Sequence, residues 1–132
     1  MAIKFRNTEH KNRFYGILER MSSGDVYHTS VAYLLALDNE CYNHIDSLFD
    51  FKENLIKPYG ALQQAWQTGT STKTTRLMFN LWCSACEDYD REKNAVKDSG
   101  RKYTVDEIFS SSLAVWYFEA VKLRYPNIKE DM

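Results

Sequence analysis

The residues best placed to do chemistry lie in one stretch, Trp66-Gln67-Thr68-Gly69-Thr70-Ser71-Thr72-Lys73-Thr74-Thr75-Arg76, where a hydroxyl-rich turn around one glycine leads into an amphipathic helix. A helix N-terminus exposes unpaired N–H groups and a partial positive charge. Thr70, Ser71, Thr72, Lys73 and Arg76 therefore form a candidate anion or partner site. The same residues can instead cap the helix themselves, with Arg76 paired to an acid of the 25–55 segment or, more broadly, to an acid or C-terminal carbonyls of another helix, fixing the Trp66–Ser71 turn. A Walker loop is excluded. Thr72 stands where glycine must precede Lys-Thr, Gln67 takes the place of the first glycine, and no strand comes before.

Cys83-Ser84-Ala85-Cys86 has CxxC spacing, but a zinc site needs two further ligands, and Cys41, His10, His28 and His44 are scattered. A thioredoxin-type pair needs a preceding strand and a helix N-terminus, whereas this pair sits late in a helix and reads as two buried or half-buried thiols. A histidine beside Glu9, Asp25 or Glu40 can serve as a general base, yet no nucleophile or ligand-spaced metal set accompanies it. We therefore expect no metal, no cofactor and no enzyme. Tyr27, Tyr33, Trp66, Phe79, Trp82, Trp116, Tyr117 and Phe118 can stack on bases, but aromatics at helical spacing favour core.

The net charge is -1, so no global field holds nucleic acid, but the charge is segregated. Residues 1–24 carry Lys4, Arg6, Lys11, Arg13 and Arg20 against two acids. Residues 25–55 carry Asp25, Asp38, Glu40, Asp46, Asp50 and Glu53 against Lys52 alone. Those six acids are a candidate partner-binding surface able to mimic phosphates on a basic channel. The alternative is a nucleic-acid-binding regulator using Lys73, Arg76 and the basic first helix, with affinity falling steeply with salt.

These side chains need elements to position them. With 132 residues, 44% hydrophobic and 14% aromatic, 5 Gly and 2 Pro, the composition is that of one globular domain spanning 1–132. The spacing predicts an all-α, irregular bundle of about six helices. The first runs from an Asn7 or Thr8 cap to Met21 and is stopped by Ser22-Ser23-Gly24, with the glycine left-handed. The second, Val26 to Leu37 capped by Asp25, is apolar on every side and belongs at the centre of the core. A third starts at Asp38 or Asn39 and turns Cys41, Tyr42, Ile45, Leu48 and Phe49 inward; a break follows over 50–57. Pro58 opens a short fourth through Trp66, which Gly69 stops, and Ser71 or Thr72 caps a fifth reaching Cys86.

Residues 87–102 hold ten charges, five of each sign, and read as a solvated, mobile loop. Thr104 and Glu107 then form a capping box, with Tyr103 and Ile108 as its staple. This opens a last helix to Arg124, beyond which the tail to Met132 frays. No Asn-Gly or Asp-Gly pair signals a hairpin. Three cysteines argue against a disulfide framework, and no run of about 18 apolar residues occurs, so the expected place is the cytoplasm, away from membranes.

Phe5-Arg6-Asn7-Thr8-Glu9-His10, Asp25-Val26-Tyr27-His28, the Trp66–Ser71 block with Arg76-Leu77 and Phe79-Asn80-Leu81, and Lys122-Leu123-Arg124-Tyr125-Pro126 together resemble an uncharacterised family of small proteins from Gram-positive gut bacteria and their mobile elements. The third helix departs from that pattern at Cys41-Tyr42, where Thr-Arg is expected. The resemblance implies a mobile-element setting and carries no known activity. By analogy with other small proteins of phages and mobile elements, the expectation is a binding protein whose partner is a nucleic-acid-handling defence complex, that is, an anti-CRISPR-like inhibitor of a host nuclease.

Overall fold

A computed structural model describes residues 2–127. It is mostly helical, with six α-helices, short 3-10 turns and one two-stranded hairpin. The expected terminal fraying falls in 128–132, outside the described residues.

Helix α1 (Thr8–Met21) begins where the Asn7 side chain accepts the His10 N–H at 2.8 Å. Its left-handed end is Ser22 (φ 55), not Gly24. Helix α2 (Val26–Leu37) starts at Asp25, which caps the His28 N–H. From Ser30 to Leu37 no residue exceeds 2% exposure, so α2 is wrapped on all sides. Each of its buried leucines contributes roughly 1.5–3 kcal/mol relative to exposure. Helix α3 is only Asn39–Asn43, because the chain tightens into a 3-10 turn at Ile45–Ser47 and then extends.

That extension is the first departure from an all-α bundle. Strand β1 (Phe49–Asp50) pairs antiparallel with β2 (Leu55–Ile56), Phe49 opposite Ile56. The turn needs no Asn-Gly: Asp50 Oδ1 accepts the N–H groups of Lys52 and Glu53, and Asn54 takes the left-handed conformation at φ 61. The helix expected from Pro58 to Trp66 is reduced to a 3-10 turn at Ala61–Gln63. Gly60 sits at φ 81 with the Arg91 side chain 2.7 Å from where a Cβ would stand.

Helix α4 (Gly69–Cys83) includes Gly69 as its first residue rather than being separated by it, and Thr68 is the cap. The 87–102 segment is tied down rather than loose. Tyr89 bridges Tyr59 and Ala95, Asp90 Oδ1 accepts the N–H groups of Glu92 and Asn94, and Asp88 is buried. After a 3-10 turn at Ser99–Tyr103, the expected last helix is split into α5 (Val105–Phe109) and α6 (Ala114–Arg124). Serines mark the break: the Ser110 hydroxyl shares the Asp106 carbonyl with its own N–H, and Ser111 Oγ accepts the Leu113 N–H. Thr104 caps α5 by accepting the Glu107 N–H, which is one half of the expected capping box; the Glu107 side chain does not return to the Thr104 N–H.

Candidate functional site

The turn before α4 spends its polar groups on itself. Thr68 Oγ1 accepts the Ser71 N–H at 3.0 Å and Ser71 Oγ accepts the Thr68 N–H at 2.7 Å, a reciprocal capping box. Ser71, fully buried, donates its hydroxyl to Gln67 Oε1, whose amide in turn donates to the Ala61 carbonyl and Thr75 Oγ1. Thr72 donates back to the Gly69 carbonyl. Of the five candidate residues, only Thr70 and Thr72 keep partial exposure beside the turn. The cations have left it: Lys73 Nζ donates to the Ser110 carbonyl at the break between α5 and α6. Thr68 and Thr70 do line a cleft with Arg6, but Asp38 and Glu40 line it too, and their carboxylates oppose an anion.

Arg76 has the structural partner its position demands, and that partner is Asp88, not an acid of the 25–55 segment. Nε and Nη2 reach the two carboxylate oxygens at 3.1 and 2.9 Å, with the side chains 14% and 5% exposed. Tyr103 donates its hydroxyl to the same carboxylate at 2.8 Å. Burial, reinforced by that carboxylate, pushes the Tyr103 phenol far above its ordinary range, so it remains a donor. The pair pins the charged segment against α4 and leaves the Trp66–Ser71 turn to its own capping box.

A second polar chain crosses the core. Asp38 Oδ1 accepts the N–H groups of Glu40 and Cys41, and Oδ2 accepts the Thr74 hydroxyl at 2.9 Å. Since Thr74 has given its proton to Asp38, the Tyr117 hydroxyl donates to Thr74 at 2.6 Å, and Ser111 donates to Tyr117. Asp38 is thus interior, and the expectation that it belongs to an acidic surface is corrected. The others scatter. Asp25 caps α2 and faces the His28 ring at 2.8 Å. Burial acts to raise its carboxyl, but hydrogen bonds from the His28 N–H, the Ser23 hydroxyl and the His28 ring outweigh it and hold the group low. Glu40 is half-buried, Asp46 lies 3.7 Å from Arg20, Asp50 caps the hairpin turn, and Glu53 is exposed.

The histidines hold the fold together. His10 Nδ1 accepts the Arg6 N–H and Nε2 meets the Tyr33 carbonyl at 3.0 Å, a pattern that requires the neutral Nε2-H ring. Burial is the main cause lowering its proton affinity, aided by the charges of Arg6 and Arg13 and opposed by the Tyr33 carbonyl. His28 spans Asp25 and the Asn54 carbonyl, tying α2 to the hairpin. His44 stacks flat on Trp66, ring centroids 4.4 Å apart. Burial, with Asp38 nearby, raises the Cys41 thiol well above its ordinary value, which suppresses thiolate chemistry. Cys83 and Cys86 are exposed, correcting the expectation of buried or half-buried thiols, and no group of three or more metal-binding side chains assembles among the described residues.

Sequence reasoning missed the face formed by α5 and α6. Val105 and Val115 are each 72% exposed and Phe118 is 56% exposed. The Phe109 and Phe118 rings touch at 4.7 Å, joining the two helices into one apolar ridge. Its signal was the run Leu113-Ala114-Val115-Trp116-Tyr117-Phe118, apolar on every side like α2. Here, however, only Leu113 and Tyr117 are buried.

The chain belongs to a family of unknown function, DUF6075, which it matches over residues 1–132. Comparison with curated proteins and with solved structures gave no match. No helix among the described residues is long and apolar enough to cross a membrane.

Proposed function

We propose that this DUF6075 member is a non-enzymatic binding protein that acts by covering a partner protein's surface, and that the covering face is α5–α6. The observation carrying this reading is the contiguous ridge Val105, Phe109, Phe118 and Val115, whose valines expose 72% of their surface. Soluble monomers keep such contiguous apolar area small, and larger patches mark interaction sites. The histidines and Cys41, which would supply acid–base or nucleophilic chemistry, are instead occupied with backbone and core contacts.

The narrower form of the reading is an anti-CRISPR-like inhibitor from a mobile element, with a defence nuclease as partner. Of the six acids first considered, Asp25, Asp46 and Glu53 are exposed, Asp25 as the cap of α2 and Asp46 beside Arg20. The nucleic-acid alternative loses Arg76 to Asp88 and Lys73 to Ser110, and would rest on α1 alone.

The test is affinity capture from the native host with the wild type and with Val115→Ser/Phe118→Ser, after circular dichroism confirms that both fold. A partner retained by the wild type and lost by the variant supports the reading. Equal capture by both, or a gel shift of nucleic acid at low salt that the variant preserves, overturns it.

A further inference from the structure

We infer that His28 is a proton-operated latch on the β1–β2 hairpin: charged, it ties Asn54 to α2, and on losing its Nε2 proton it lets the hairpin go. Nδ1 lies 3.0 and 2.8 Å from the two carboxylate oxygens of Asp25, and Nε2 lies 3.0 Å from the Asn54 carbonyl oxygen. Asp25 is ionised, because burial is outweighed by hydrogen bonds from the His28 N–H, the Ser23 hydroxyl and the His28 ring. A carboxylate and a carbonyl only accept, so both ring nitrogens must carry a proton for both contacts to be hydrogen bonds. A neutral imidazole has a single N–H and keeps just one of them. His10 is the contrast. Its Nδ1 meets a donor, the Arg6 N–H, and its Nε2 meets the Tyr33 carbonyl, a pair that the neutral ring satisfies.

The proton leaves from the hairpin side. Nδ1–H is held by an anion, a stronger acceptor than the neutral carbonyl at Nε2. Bare Nε2 then sets its lone pair against the Asn54 oxygen. The other faces of the ring are uncharged: Trp82 of α4 and Phe49 of β1 stand roughly perpendicular to it, at 4.8 and 6.0 Å between centroids. On the hairpin, Asp50 Oδ1 is spent on the N–H groups of Lys52 and Glu53, whose side chains are exposed. Arg124 of α6 stacks on Tyr27 and donates to the Leu81 carbonyl. Among the described residues, Asp25 is therefore the charged group in contact with the ring.

The hairpin is poised to respond. Asn54 stands in the left-handed region at φ 61, and its buried Oδ1 has no hydrogen-bond partner among the described residues. Both features cost free energy in the closed turn, so the His28 bond holds the turn against a penalty that opening relieves. The next residue, Leu55, lines an apolar cleft of about 480 Å³ with Ile56, Tyr59, Trp82 and Cys83. Releasing Asn54 frees one wall of that cleft.

NMR on the full chain tests the latch from about pH 5 to about pH 9. Long-range 1H–15N spectra follow the protons on His28 Nδ1 and Nε2, and the Asn54 carbonyl carbon reports the bond it accepts. The Lys57 N–H, which donates to the Leu48 carbonyl, reports hairpin closure through its exchange protection, corrected for intrinsic exchange. As pH rises, the Nε2 proton is lost first, the Asn54 signal moves with the same midpoint, and Lys57 protection falls about tenfold or more. Asp25→Asn keeps a good N-cap and sets an amide donor opposite Nδ1, so a neutral ring retains both partners and the two hairpin signals stay flat. His28→Gln, whose amide donates without titrating, leaves them flat as well. A ring whose proton count is constant over this range, or one that titrates while Asn54 and Lys57 stay still, overturns the inference. So does a hairpin change that persists in either variant or has a midpoint away from that of the ring.

Discussion

Replacing Asp88 by alanine should be among the most damaging single changes in this protein. It strips a bidentate partner from Arg76 and an acceptor from Tyr103, leaving a guanidinium only 14% exposed without its counter-charge. Breaking a buried ion pair from one side costs about 3–5 kcal/mol, because the remaining charge stays desolvated. At about 2.1 cal/mol/K per residue, a chain of 132 residues unfolds with about 0.28 kcal/mol/K, so the melting temperature should fall roughly 10–20 °C. Arg76→Lys keeps a charge but loses one arm of the fork, about 1.5–3 kcal/mol, and should fall roughly half as far. Removing the whole cluster with Arg76→Met/Asp88→Leu/Tyr103→Phe should recover much of the loss, since no uncompensated polar group remains. Thermal unfolding followed at 222 nm reads the cost, and limited proteolysis reads its location, with new cleavage expected within 89–98. An Asp88→Ala melting point within about 3 °C of wild type, or a large drop without new cleavage in that segment, would refute the clamp.

Further outcomes are as specific. Gly16→Ala, in the middle of α1 with nothing within 4 Å of the new methyl, should raise stability by about 0.5–1 kcal/mol. Gly60→Ala should lower it by about 1–3 kcal/mol, since φ 81 and the Arg91 side chain both oppose a Cβ; denaturant midpoints of the pair check both signs. Because the fold holds His10 neutral, the unfolded chain takes up that proton first. Its contribution is therefore complete above pH 6.5 and declines as pH falls through 6.5 toward the lower folded value. His10→Gln should flatten the slope of stability against pH between 7 and 5, and an unchanged slope would assign that slope to other groups. Thr68→Ala should cost about 1 kcal/mol by opening the capping box of α4, read as a lower melting temperature.

Local chemistry was legible in the sequence; distant pairing was not. The caps at Asn7, Asp25, Asp38 and Thr104 act across two or three residues and follow from side-chain type alone. So does the central place of α2, with its unbroken apolar run. The hairpin was hidden because Ile45, Leu48 and Phe49 also satisfy helical spacing, and Asp50 with Asn54 made the turn without the usual dipeptide. The split between α5 and α6 falls at serines whose hydroxyls bond backbone groups, which periodicity does not register. Arg76 plainly needed a partner, yet Asp88 sat in a mixed-charge segment whose composition reads as solvated. The α5–α6 ridge was concealed for the opposite reason: its side chains look like core until the neighbouring elements are in place.

The chain of polar groups from Ser111 through Tyr117 and Thr74 to Asp38 has a consequence for the uniqueness of the fold. Apolar side chains tolerate sliding, because one methyl contact substitutes for another, whereas each of these oxygens accepts only a partner at hydrogen-bonding distance. A slip of α4 by one residue would shift Thr74 by about 1.5 Å along the helix axis and about 100° around it. Asp38 Oδ2 and the Tyr117 hydroxyl would lose their shared partner together, leaving one buried carboxylate oxygen and one buried O–H unpaired in the same step. The interior therefore works as a lock with one seating. Misregistered packings of α4 against α2 and α6 are penalised as a block, and the wide apolar surface of α2 is free to be greasy without becoming ambiguous.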